Sequence, residues 1–130
     1  MSDALSDDEL AYLVSVLDLA REGRTDELLT AIHAGVPANL TGASGDSLLM
    51  LAAYYNHPDT VVALLDAGAD TERINDRGQT ALGAAVFRQS ETSVRALLDV
   101  GADPHAGGRS AVSIAEFFEL TEMAKLLRAV

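Results

Sequence analysis

The chain has 130 residues with 9 Lys+Arg and 20 Asp+Glu, which gives a formal net charge of −11 at pH 7. This balance argues against nucleic-acid binding and against docking on an anionic membrane, because both need a basic face. The absence of cysteine excludes disulfides and cysteine-based zinc sites, and a hydrophobic content of 48% excludes a disordered acidic tail.

The first predicted element is a long amphipathic helix. Residues 1–9 carry no basic stretch and no apolar run, so we expect no secretory signal and a cytoplasmic chain. Ser6 and Glu9 have the spacing of a capping box, in which each side chain accepts the other residue's backbone amide. A helix is therefore predicted from about Asp7 to Arg21. Its expected apolar face comprises Leu10, Leu13, Val14, Leu17 and Ala20.

An internal repeat with a period of 33 residues covers most of the chain. At this offset Gly45 aligns with Gly78, and residues 67–70 align with residues 100–103. A final copy starts at Gly108, at an offset of 30. We therefore predict one domain of four units: residues 6–41 as an N-terminal cap with an extra-long first helix, then 42–74 and 75–107, and 108–130 as a C-terminal cap.

The units share local signals for two short helices. A serine or threonine can cap the first helix of a unit through its hydroxyl; these residues are Ser47, Thr80 and Ser110. The second helix carries paired apolar residues and ends at a glycine suited to a left-handed conformation. These glycines are Gly35, Gly68 and Gly101.

The third unit resembles the ankyrin repeat family. Residues Asn75–Val86 follow the family's D-x-x-G-x-T-P-L-H-x-A-A pattern, and Val94–Asp103 follow its V-x-x-L-L-x-x-G-A-D pattern. The Pro and His of the T-P-L-H motif are missing from every unit. The resemblance implies an all-α ankyrin repeat solenoid, built of helix–turn–helix units joined by finger loops.

The same resemblance implies a non-enzymatic module that binds another protein through a concave surface of helices and finger loops. In the family, two variable positions just after the A-A pair face this surface. The matching residues are Arg21, Glu22, Tyr54, Tyr55, Phe87, Arg88, Phe117 and Phe118. Five of the six aromatic residues of the chain fall at these positions, and we call these five the aromatic stripe.

Two alternatives remain at these positions. Tyr54, Phe87 and Phe117 either face the groove or pack between helices, whereas we expect Tyr55 and Phe118, together with Arg88, to be exposed. The finger loops add charged candidates for partner binding, which are Asp46, Arg73, Asp76, Arg77 and Arg109. Ordinary solvated surface charge is the competing interpretation of these loop residues.

No pattern in the sequence indicates catalysis, a cofactor or a metal. His33, His57 and His105 lie too far apart in sequence for the i, i+4 pairing of a helical metal site. His57 matches the family's G-H turn, where the histidine bonds the backbone. We therefore expect no catalytic residue, no metal ligand and no enzymatic activity.

Two other functions stay open. The chain could be an acidic inhibitor or immunity-type protein that mimics nucleic acid and binds through its convex surface, around Asp59, Asp66, Glu91 and Asp99. We expect a monomer, but a dimer could form through the aromatic stripe or the apolar end of the chain, Leu126–Val130. The partner itself is not encoded in any motif.

Overall fold

The computed structural model describes residues 5–129, which form eight α-helices. Residues 1–4, on which the prediction of no secretory signal partly rests, lie outside the described range. Val130, the last residue of the predicted dimer segment, also lies outside it. The helices are α1 (Asp7–Glu22), α2 (Thr25–His33), α3 (Leu48–Tyr54), α4 (Pro58–Asp66), α5 (Ala81–Phe87), α6 (Glu91–Asp99), α7 (Ala111–Phe117) and α8 (Thr121–Arg128).

The helices stack in two layers. Each odd-numbered helix packs on the even-numbered helix that follows it, and the pairs stack in chain order. The inner layer is α1, α3, α5 and α7, and the outer layer is α2, α4, α6 and α8. Ala52, Ala85 and Ala115 are buried at matching positions of the inner helices, where small side chains allow close packing. The all-α solenoid that the family resemblance implies is confirmed.

The capping signals act as predicted. The Ser6 hydroxyl accepts a hydrogen bond from the Glu9 amide at 3.1 Å, and the Ser6 amide donates to Glu9 Oε1 at 3.1 Å. The bonds from Ser6 to this carboxylate hold the pKa of Glu9 below its usual range. The hydroxyls of Ser47, Thr80 and Ser110 accept from amides three residues later, at 3.1, 3.0 and 3.2 Å.

The predicted apolar face of α1 is only half correct. Leu17 and Ala20 are buried, but Leu10 is 48% exposed and Val14 is 54% exposed. The reason is length, because α1 has 16 residues whereas its inner-layer neighbour α3 has 7. The shorter helix covers only the C-terminal part of α1, so Leu10 and Val14 nearer its start reach solvent.

The turn inside each helix pair uses a left-handed residue at the same register. Gly23 has φ +70°, while Asn56, Gln89 and Glu119 have φ of +63°, +57° and +54°. Non-glycine residues are strained in this region, and Asn is better tolerated than Gln or Glu. The predicted glycines after the second helices, Gly35, Gly68 and Gly101, also have positive φ, of +119°, +88° and +89°.

This strain leads to a first prediction. Gln89→Gly should raise the free energy of unfolding by about 0.5–1 kcal/mol, because relief of the left-handed strain exceeds the entropy that glycine loses on folding. Gln89→Ala removes the side-chain atoms beyond Cβ but keeps the Cβ that causes the strain. Its midpoint of unfolding in urea should therefore match that of the wild type. Equal midpoints for all three proteins would contradict the assignment of strain.

Within residues 5–129 no helix is long and apolar enough to cross a membrane.

Candidate functional site

The exposed side of the inner layer and the finger loops enclose an open groove of about 510 Å³. Helices α3, α5 and α7 supply its floor, and the loops before them supply one wall. The residues that line it are Arg21, Asp46, Met50, Leu51, Tyr54, Tyr55, Asn75, Arg77, Gln79, Thr80, Gly83, Ala84, Phe87, Arg109, Ile114 and Phe118.

The aromatic stripe is one continuous, solvent-exposed surface. Its five rings are between 42% and 79% exposed. The ring of Tyr55 lies edge-on to that of Tyr54, with 5.3 Å between the ring centroids. Tyr54 stacks on Phe87 with 6.2 Å between the centroids and an angle of 4° between the ring planes. Phe118 contacts Phe87 at 5.5 Å and Phe117 at 4.9 Å, both edge-on.

The positions at the helix ends explain this exposure. Tyr54, Phe87 and Phe117 are the last residues of α3, α5 and α7, and Tyr55 and Phe118 are the next residues, at the caps. The buried face of each short helix is already filled by residues before the end. None of the three first residues is fully buried between helices, because all three reach solvent, and Phe117 is the most exposed, at 79%.

The arginines at the groove differ in their partners. Arg21 pairs with Asp18 at 2.6 Å, and Arg77 lies 3.7 Å from Asp46. The Arg109 guanidinium makes no ion pair with any of residues 5–129. The backbone of Arg109 is held, because its amide donates to the Gly78 carbonyl at 3.0 Å where the two finger loops meet. The backbone of Arg109 is therefore fixed, whereas its guanidinium has no ion-pair partner among residues 5–129.

Asn75 joins the finger loops at one edge of the groove. It is 6% exposed, and its Nδ2 donates to Asp46 Oδ1 at 2.7 Å and to Gln79 Oε1 at 2.8 Å. Its Oδ1 accepts from the amides of Arg77 and Gln79 at 3.0 and 2.9 Å. The side chain therefore holds its own turn together and ties it to the preceding finger loop.

Several predicted residues do not reach the groove. Glu22 instead pairs with Arg24 at 3.0 Å, and the amide of Asp76 bonds the Ser44 carbonyl of the neighbouring loop at 3.1 Å. Arg73, Arg88 and Phe117 are exposed but outside the lining. Arg73 and Arg88 make no ion pair within the described part of the chain, so nothing in the structure assigns them a contact.

Sequence reasoning missed much of the groove floor. Met50 and Gly83 occupy the position of the family's missing histidine, one turn before the stripe, and Ile114 lies beside the matching residue of the last unit. A Cβ placed on Gly83 would lie 3.1 Å from Ile114 Cδ1, which shows how closely α5 and α7 approach. The sequence signal that could have indicated these floor residues is the absence of this histidine from the same position of every unit.

One of the three histidines has a structural bond. His57 Nε2 donates to the Arg21 carbonyl at 2.7 Å, which confirms the predicted bond to the backbone. This bond connects the first two helix pairs. Among residues 5–129 no three His, Asp or Glu side chains are grouped so that they could hold a metal ion.

Stacked helix pairs with finger loops along one side define a helical solenoid of the repeat-protein class. A model of the family described as ankyrin repeats, in three copies, matches residues 17–108. The chain therefore belongs to the ankyrin repeat family. Proteins of this family are generally protein–protein interaction modules and typically not enzymes.

Two relatives illustrate the match. The chain is 46% identical over 50 residues to a Pseudomonas aeruginosa protein named as an ankyrin repeat protein, a match that covers 38% of this chain and 29% of the other. The ankyrin repeat domain of human ASB11 superposes with a TM-score of 0.78 at 29% identity, covering 88% of this chain and 52% of that one. The chain thus spans about half of the human domain and less than a third of the bacterial protein.

Proposed function

We propose that this chain is a non-enzymatic binding module that holds another protein in the groove and against the aromatic stripe. The observation that carries the proposal is the stripe itself. Five aromatic rings in mutual contact are all exposed. A contiguous apolar patch of this kind on a folded protein is typical of an interaction surface, whereas single exposed apolar residues are normal.

The chemistry of the groove supports the same function. Aromatic residues and arginine are enriched at the few positions that supply most of the free energy of a protein interface. Here Arg21, Arg77 and Arg109 line the groove together with four rings of the stripe. The ring-to-ring contacts restrain the side chains before a partner arrives, which lowers the entropy lost on binding.

A second prediction tests this surface. A partner captured from cells of the source organism by the immobilised chain should bind Tyr55→Ala and Phe118→Ala at least about tenfold more weakly than the wild type, because each variant loses an exposed aromatic ring of the stripe that also lines the groove. Isothermal titration calorimetry measures the two affinities. Wild-type affinity in both variants would contradict the proposal.

The chain offers a matched control for these variants. Tyr12 is 50% exposed and Tyr55 is 46% exposed, but Tyr12 lies on α1 and outside the groove. Tyr12→Ala removes the same side chain at a similar exposure, so it should leave the affinity unchanged. Thermal melts of all three variants should coincide with the wild type, which would separate lost binding from lost folding.

The acidic alternative predicts a different contact. Asp59, Asp66 and Asp99 are exposed on the outer helices α4 and α6, and the structure gives none of them an ion pair within residues 5–129. An inhibitor that mimics nucleic acid through these residues would bind a basic protein and lose affinity steeply with added salt. Weak salt dependence together with loss of binding in Tyr55→Ala favours the groove.

We also propose that the chain acts as a cytoplasmic monomer. Light scattering on the purified chain tests its oligomeric state, and fractionation of cells that express a tagged chain tests its compartment. A concentration-dependent dimer that Phe118→Ala dissociates would instead assign the stripe to self-association.

A further inference from the structure

The groove has the opposite charge balance to the rest of the chain. Three of the nine basic residues line it, whereas Asp46 is the one carboxylate among the lining residues. The chain as a whole carries −11. A local excess of cations in an otherwise acidic protein attracts an anionic group to this surface.

The available partners inside the groove leave one cation free. Asp46 already accepts from Asn75 at 2.7 Å and lies near Arg77, and Arg21 is paired with Asp18. Arg109 has no such partner among the described residues. It is exposed and lines the groove together with Ile114 and Phe118, so an acidic group of a partner can reach its guanidinium beside apolar side chains.

We propose that the occupant of the groove is a peptide segment of the partner that carries an aspartate or glutamate next to large apolar side chains. The carboxylate pairs with the Arg109 guanidinium, which matches it with two parallel N–H donors. The apolar neighbours lie on the stripe. This inference rests on the proposed function and adds the chemical class of the segment bound.

The charge of the whole chain favours a carboxylate in a peptide over a nucleic acid. A phosphodiester backbone brings one charge per nucleotide and needs an extended basic surface. The acidic outer helices and the single free arginine of the groove supply no such surface. One carboxylate next to apolar side chains matches one arginine that is unpaired within residues 5–129, in a groove that is also lined by four aromatic residues.

The test uses the full chain and a random-peptide phage library. Peptides selected on the immobilised wild type are expected to share an acidic residue flanked by apolar residues. Fluorescence anisotropy with a selected peptide should show about tenfold weaker binding to Arg109→Gln. Arg128→Gln makes the same change of charge on α8, away from the groove, and should bind as the wild type does.

A second peptide separates direct pairing from a general field. Replacing the peptide's acidic residue by its amide should weaken binding to the wild type by the same factor but should not weaken binding to Arg109→Gln any further. Equal losses in Arg109→Gln and Arg128→Gln would overturn the direct pairing. The Arg109 side chain makes no bond within the described chain, so this variant should melt as the wild type does.

The remaining outcomes distinguish failure of this inference from failure of the proposed binding function. Selected peptides without acidic residues that bind through Tyr55 would overturn the inference and leave the binding function intact. Failure to select any peptide, or selection of peptides insensitive to Tyr55→Ala, would overturn both. Tight binding of an oligothymidylate through Arg109, or a dimer dissociated by Phe118→Ala, would assign the groove to nucleic acid or to a second copy and overturn the inference.

Discussion

Gly23→Ala is expected to lower the free energy of unfolding by about 2–4 kcal/mol, with contributions from backbone strain and from a lost hydrogen bond. Gly23 has φ +70°, and a Cβ at this position would lie 2.6 Å from His57 Cγ. The imidazole must move, and its bond to the Arg21 carbonyl is then lost. Urea unfolding followed by circular dichroism measures the change.

The later helix pairs show that strain alone is not the main reason for this glycine. Asn56 and Gln89 take the same register with similar φ, so a side chain is tolerated there. The pair that follows Gln89 carries Leu120 at the register of His57, and the pair that follows Asn56 carries Ser90. The ring of His57 is therefore the feature that demands glycine at position 23.

Two further variants separate the two contributions. Gly68→Ala has φ +88° with open space around its Cβ, so it should lose only about 1 kcal/mol of backbone strain. Combining Gly23→Ala with His57→Ala removes the clash, and the double variant should be more stable than the sum of the two single effects. Strict additivity would contradict the proposed contact.

Local rules predicted most of the fold. The helix starts at Ser6, Ser47 and Thr80 depend on a hydroxyl and the amide three residues later, so they can be read from the sequence alone. The period of the repeat then places the pairs in order. The exposure of Leu10 and Val14 could not be predicted in this way, because it depends on how far the neighbouring helix extends along α1.

The candidate site was predicted in its position but not in its contacts. The repeat register identifies the stripe, because it places the aromatic residues at equivalent helix ends. It does not show that Tyr54 and Phe87 stack in solvent, since that depends on the spacing between helices. The bond between Asn75 and Asp46 joins two finger loops and follows only from their stacking. The sequence signal for this bond is that Asn75 stands where the family's pattern has an aspartate.

Asn75→Asp restores the residue typical of the family, yet it should destabilise this protein by about 3 kcal/mol at pH 7. The amide nitrogen of Asn75 donates to oxygens of both Asp46 and Gln79. A carboxylate oxygen in its place would face these two acceptors, and one of them is charged. The bonds from the amides of Arg77 and Gln79 to the other oxygen would survive, so the loss should be confined to the bridge between the fingers.

The pH dependence of this variant identifies the cause. A carboxyl beside another carboxylate has a folded-state pKa above its unfolded value of about 3.9. Its contribution to stability is then fully present below that unfolded value and is lost as the pH rises through the folded one. Relative to wild type, Asn75→Asp should therefore lose stability progressively as the pH is raised from about 4 to 7, whereas a purely steric defect would be independent of pH.

Exchanging the two residues provides the decisive comparison. In Asn75→Asp combined with Asp46→Asn, the new amide at position 46 can donate to the new carboxylate, and the Gln79 amide can rotate to donate as well. We expect the double variant to recover at least half of the stability that Asn75→Asp loses at pH 7, and to lose the added pH dependence. Asp46→Asn alone should destabilise less than Asn75→Asp, because it removes a charge without placing two together. If the exchange recovers nothing, the two fingers are not joined through this bond, and the groove edge must be held by the backbone contact between Asp76 and Ser44 instead.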